Sequence, residues 1–156
     1  MAIAMTLKEY LADQTIAYDV VEHPRTLTAS RAAEAGHVPG ERLAKAVLVK
    51  DEDGFIVAVL PAAYHIELGR LGSCLRRRVG LATEREVGEL FGDCELGAIP
   101  PVGAAYGLEV IIDDSLADQP DVFFEAGDHE TLVHVSGEQF RRLMGTAAHG
   151  QFSRHD

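Results

Sequence analysis

The sequence has no run of about 18 apolar residues, the length a bilayer-spanning helix needs, so none of its 156 residues reads as a membrane span. It has only two cysteines, Cys74 and Cys94, and they lack CxxC spacing. That is too few for a disulfide framework, and both read as reduced, small buried hydrophobes. Positive charge is scarce: 14 Lys and Arg face 25 Asp and Glu, for a net charge of −11. This argues against wrapping of long nucleic acid, and DNA is not an expected partner. The start, Met1-Ala2-Ile3-Ala4-Met5-Thr6, is too short and uncharged for a signal peptide. The expected location is cytoplasmic.

Familiar catalytic signatures are missing too. There is no GxSxG elbow, no HExxH, and no Walker or Rossmann glycine pattern. His23, His37, His65, His129, His134, His149 and His155 are scattered without metal-ligand spacing. Neither a metal nor a cofactor is expected.

What is present fits one globular domain. Apolar residues make up 47% and charged residues 25%, enough for a full core at this length. No repeat or internal linker interrupts it. The expected domain covers residues 1–145, with 146–156 a polar, frayed tail.

Three capping-box patterns mark helix starts: Thr6 with Glu9, Thr83 with Glu86, and Ser136 with Gln139. Each sets a hydroxyl three residues ahead of a carboxylate or amide, which satisfies amides left open at a helix start. Further helices are expected over Ala29 to Ala35, stopped by Gly36, and around Ile66 to Leu71. Strands are expected at Ala17 to Glu22, Ala46 to Lys50, Phe55 to Leu60, Arg78 to Ala82, Leu108 to Ile112, Val122 to Glu125 and Leu132 to Val135. Asp51-Glu52-Asp53-Gly54 and Gly127-Asp128-His129-Glu130 read as hairpin turns. The fold class is therefore α/β (α+β): a mixed, largely antiparallel sheet of about seven strands with helices around it.

Three places could carry chemistry. Lys45 stands before the apolar run Ala46-Val47-Leu48-Val49, at the mouth of a buried strand. It either snorkels to solvent or holds a phosphate or carbonyl oxygen as a point charge. The loop Gly97-Ala98-Ile99-Pro100-Pro101-Val102-Gly103 is either a rigid connection or a preorganised wall. Glycine admits a ligand close to the backbone, and its amides can stabilise an ester oxyanion. Gly127-Asp128-His129 is either a turn or the support of an imidazole that orients water. Arg70, Arg76, Arg77 and Arg78 form a basic cluster, either a solvated run or a phosphate contact.

In this order, Lys45 with its apolar run, Gly97 and Pro101 four apart, and Phe123-Phe124-Glu125-Ala126-Gly127-Asp128-His129 before Val135-Ser136-Gly137-Glu138-Gln139-Phe140 resemble the YbaK/prolyl-tRNA synthetase-associated editing family. Glu22-His23-Pro24 through Thr28, Ala32-Ala33-Glu34, and Leu81-Ala82-Thr83 with Glu86 are similar as well. The resemblance spans residues 5 to 144.

It implies a YbaK-like mixed sheet and an aminoacyl-tRNA deacylase that clears tRNA mischarged with a small amino acid. Lys45 would hold the acceptor end or the ester. Gly97, Ile99, Pro100 and Pro101 would wall the amino acid pocket, and His129 would orient water or the ribose hydroxyl. Gly127, His23 and Thr28 would complete the substrate site. Aminoacyl-tRNA, gripped at its acceptor end, is the implied partner, with an aminoacyl-tRNA synthetase as a further one. In the alanine-clearing branch asparagine follows the lysine; here it is Ala46, so the amino acid edited stays open. Two rival readings remain: a non-catalytic tRNA- or nucleotide-binding module using the same cleft, and a hydrolase of some other small ester or amide.

Overall fold

The computed structural model describes residues 3–155. Its order is α1 (Met5–Asp13), β1 (Asp19–Glu22), α2 (Ala29–Ala35), β2 (Leu43–Lys50), β3 (Phe55–Pro61), β4 (Tyr64–Ile66), α3 (Leu68–Leu75), β5 (Gly80–Leu81) and α4 (Glu84–Leu90). Then come β6 (Glu109–Asp113), β7 (Asp121–Glu125), β8 (Thr131–Ser136), α5 (Gly137–Met144), β9 (Ala148–Gly150) and β10 (Ser153–His155).

The main sheet runs β1-β8-β7-β2-β3-β6-β9, with β5 attached to β2, while β4 and β10 form a separate ribbon. Antiparallel pairs are β1 with β8, β7 with β8, β2 with β3, β2 with β5, and β4 with β10. Parallel pairs are β2 with β7, β3 with β6, and β6 with β9. The sheet is mixed and largely antiparallel, with helices packed around it, as the sequence predicts.

β3 shows why the sheet is covered on both sides. Its residues are nearly all apolar, so neither face can meet water. Val57 and Val59 join a core with Leu7, Leu11, Phe124 and Phe140. The alternate residues Ile56, Ala58 and Leu60 join a second core with Leu71, Ile111 and Phe152. The period of two along the strand thus feeds two hydrophobic layers.

Some local expectations need correction. Thr83 and Glu86 form the reciprocal capping box of α4. Ser136 accepts from the Gln139 amide, but the Gln139 side chain turns to the amide of Ala17 instead of closing its own box. Thr6 does not cap at all: α1 starts after Ala4, and the Thr6 amide donates to Asp93 Oδ2 at 2.8 Å. A distant carboxylate does the work assigned to a local one. The third helix lies at Leu68–Leu75, later than expected, because Tyr64–Ile66 is drawn into pairing with Ser153–His155.

The described part of the polar tail, residues 146–155, is docked rather than frayed, and Asp156 lies outside the described residues. Ala148–Gly150 extends the main sheet alongside β6, and Phe152 between the two short strands is fully buried. One aromatic ring anchors a segment whose other residues carry no apolar period.

One edge of β2 is divided. β3 occupies the other edge from Ala44 to Lys50. On the divided edge β7 pairs only with Leu43 and Ala44, and β5 only with Val49 and Lys50. Among the described residues, 45–47 therefore have no partner strand on that side, and the functional candidates gather at this gap.

Candidate functional site

Lys45 is the first residue beyond the Ala44–Phe124 register pair. Its Nζ donates to the carbonyl oxygens of Tyr64 at 2.7 Å and Ala62 at 3.4 Å. An ammonium has three donors, so one stays available to a ligand. Burial lowers its pKa from the ordinary lysine value, because the charged form loses water.

Lys45 opens into a cavity of about 260 Å³. The other lining residues are Leu27, Thr28, Ala29, Ser30, Ala46, Gly97, Ile99 and Glu125. The volume falls just below the ~300–1,000 Å³ of drug-sized ligand sites, so it suits a small group. Thr28 caps α2 by accepting from the Arg31 amide, and the Ser30 hydroxyl donates to the Ala62 carbonyl. Among the described residues, neither hydroxyl is paired with a base that would make it a nucleophile. Cys94 lies elsewhere, beside Asp93 and Tyr106, and burial pushes its thiol up to about 11.

The structure thus brings Lys45, Thr28, Gly97 and Ile99 together. Pro100 and Pro101, further along the loop, are buried and do not line the cavity. Gly97 is exposed, with φ of 84°, a left-handed conformation natural to glycine.

His129 stands behind that glycine. It is 3% exposed and off the cavity lining. Its Nε2 makes a short hydrogen bond to the Leu96 carbonyl, which requires the proton on Nε2. A Cβ on Gly97 would lie 3.1 Å from the His129 ring. The imidazole therefore braces the loop from within. Two further links hold the same segment: the Glu95 amide donates to the Gly127 carbonyl at 2.8 Å, and Arg25 pairs with Glu95. The Asp128 carboxylate ties the hairpin by accepting from Glu130 N, Thr131 N and Thr131 Oγ1. His23 also lies off the cavity, its Nδ1 bonded to the Pro24 carbonyl and its amide to the Glu130 carbonyl.

None of the four clustered arginines lines the cavity. Arg70 pairs with Glu67, and Arg77 with Asp51 and Glu109.

Sequence reasoning missed Glu125. It is 3% exposed and lines the cavity, and among the described residues neither carboxylate oxygen has a hydrogen-bond partner. Burial, with a smaller push from the Asp128 charge, raises its pKa to about 8. The only sequence signal was a carboxylate closing an otherwise apolar strand, Val122-Phe123-Phe124-Glu125-Ala126.

Among the described residues, no group of three or more His, Cys, Asp or Glu is placed to hold a metal ion, and no helix is long and apolar enough to cross a membrane.

The family model for the aminoacyl-tRNA editing domain matches residues 23–143, a span that contains every residue of the cavity. The chain belongs to that family. A solved structure of a protein described as a candidate trans-editing enzyme for prolyl tRNA synthetase is similar to this editing domain at 25% identity, with a TM-score of 0.84 over 97% of this chain and 96% of that one. A hypothetical protein shares the fold at 22% identity and a TM-score of 0.83, covering 96% of this chain and 99% of its own. A protein described as a candidate signal transduction protein from Marinobacter aquaeolei VT8 shares it at 19% identity and a TM-score of 0.78, covering 97% of this chain but only 31% of the longer one. No curated protein matches the editing domain.

Proposed function

We propose that this editing domain is a trans-editing aminoacyl-tRNA deacylase. It hydrolyses the ester of tRNA mischarged with a small amino acid, without a covalent nucleophile. The observation that carries the reading is Lys45 facing a cavity of about 260 Å³ at the divided edge of β2, within a domain of the aminoacyl-tRNA editing family.

The chemistry asks little of the protein. An aminoacyl ester is already activated, so a positioned water suffices. Water adds to the ester carbonyl, the bond from that carbon to the ribose oxygen breaks, and the vicinal ribose hydroxyl assists the proton transfer. Lys45 holds the acceptor end or the ester oxygen with its spare N–H. The loop at Gly97 and Ile99 walls the amino acid side and offers backbone groups to the ester oxygen, while Pro100 and Pro101 stiffen it. Thr28 lines the same cavity. His129, Gly127 and His23 act through the loop and the hairpin, by holding them in place.

Selectivity comes from exclusion. A pocket discriminates weakly by attraction for one methylene, so a small cavity works as a steric sieve. With a net charge of −11, the domain grips the acceptor end rather than the body of the tRNA, and a synthetase partner supplies further affinity. The test is release of amino acid from mischarged tRNA by the purified protein and its Lys45→Ala variant.

A further inference from the structure

Glu125 stands outside the mechanism above. A buried carboxyl with no donor is costly, because it has lost water and gained nothing in exchange. Its strand neighbours are Phe124 and Ala126, and its register partner on β8 is Leu132. None of them supplies an N–H or O–H from a side chain. The same residue lines the cavity beside Lys45, from the adjacent parallel strand. Each stands one residue past the Ala44–Phe124 register pair and both line the same cavity, so one small ligand can meet both side chains.

The two groups differ in what they can accept. Lys45 offers a donor to an oxygen or phosphate, while Glu125 offers only acceptors once ionised. A ligand that satisfies both carries a cationic donor a few bonds from an ester oxygen. An aminoacyl ester is such a group, with its α-ammonium one carbon from the ester carbonyl. We infer that Glu125 recognises the free α-ammonium group of the aminoacyl ester and so restricts the site to substrates with an unblocked amine.

This rests on the deacylase reading and extends it to a required feature of the substrate. Burial raises the pKa of this carboxyl to about 8, so it is largely protonated at neutral pH. Docking of the ammonium stabilises the carboxylate, and the displaced proton leaves to solvent.

The experiment uses an uncleavable substrate mimic, 3′-deoxy-3′-(L-alanylamino)adenosine, and its N-acetyl form. Their affinities for the wild-type chain, Glu125→Gln and Glu125→Met are measured by titration calorimetry near pH 7, with thermal melts to confirm folding. The free amine is expected to bind at least about tenfold more tightly than the N-acetyl form. Either folded variant is expected to bring the two affinities together by weakening the free amine. Wild-type binding is expected to release protons, seen as an enthalpy that varies with buffer, and the variants are expected not to. Equal wild-type affinities, a preference retained without Glu125, or no binding of either mimic would overturn the assignment. Ester hydrolysis measured in parallel separates the two claims. Hydrolysis without amine preference removes Glu125 alone, whereas amine preference without hydrolysis removes the deacylase and keeps Glu125.

Discussion

Lys45 and Glu125 project into one cavity from adjacent parallel strands, each one residue past the Ala44–Phe124 pair, and Glu125 receives no hydrogen bond from Lys45. Lys45 bonds instead to the Tyr64 and Ala62 carbonyls. A half-buried lysine held by two carbonyls contributes little to stability. Lys45→Ala is therefore expected to shift unfolding by no more than about 1–1.5 kcal/mol, read by urea denaturation. A larger loss would make the lysine a structural strut.

Glu125 gives stability a pH dependence of known sign. Its folded pKa, about 8, lies above the ordinary 4.5, so between those values the folded chain binds more protons than the unfolded one. Its contribution is complete below about 4.5 and is lost as pH rises to about 8, with a slope of at most ~1.4 kcal/mol per pH unit. Glu125→Gln is expected to remove that slope, so variant and wild type should diverge most near pH 9. Parallel denaturation curves across the range would contradict the burial argument.

Gly97 and Gly107 make a matched pair. Both have positive φ, at 84° and 70°, but a Cβ on Gly97 would also press on the His129 ring at 3.1 Å, whereas one on Gly107 would meet nothing within 4 Å. Each alanine variant is expected to cost roughly 1–3 kcal/mol in backbone strain. Only Gly97→Ala is expected to lower kcat/KM in deacylation, because only it displaces the wall of the cavity. Equal effects on activity would detach the loop from the chemistry.

His129 braces the same loop through the Leu96 carbonyl. His129→Ala is expected to destabilise the fold by about 1–3 kcal/mol by leaving that carbonyl unpaired. A role acting through the loop predicts that kcat/KM falls without a change in the shape of its pH profile. A lost ionisation in that profile would restore the imidazole to direct contact with water or the ribose.

Phe152 tests the docked tail. Its ring is fully buried in the core with Leu71 and Ile111. Phe152→Ala is expected to cost about 3–5 kcal/mol, read by thermal or urea unfolding. A change under 1 kcal/mol would return residues 146–155 to a frayed end.

What the sequence made legible was local. Gly36 stops α2 where expected, the Asp51–Gly54 turn joins β2 to β3, and Thr83 with Glu86 caps α4. Each signal lies within a few residues of its effect. What stayed hidden depends on distant partners. Thr6 gives up its local cap to Asp93, 87 residues away, and Tyr64–Ile66 becomes a strand only because Ser153–His155 reaches it. The site divides the same way. Lys45, Gly97 and Ile99 stood out by residue type and spacing, but Glu125 looks like any polar strand end until burial and the gap in β2 give it meaning. His129 was visible as a turn residue, whereas its bond to Leu96 comes from a loop 33 residues earlier.

The most direct measurement is deacylation of tRNAs charged with alanine, serine, cysteine, threonine, proline and 2-aminobutyrate, by the wild-type chain and by Lys45→Ala. The account predicts hydrolysis confined to the smaller amino acids and reduced on the order of 10²-fold or more in the variant. A flat panel at the spontaneous rate, or activity that survives loss of Lys45, would contradict it.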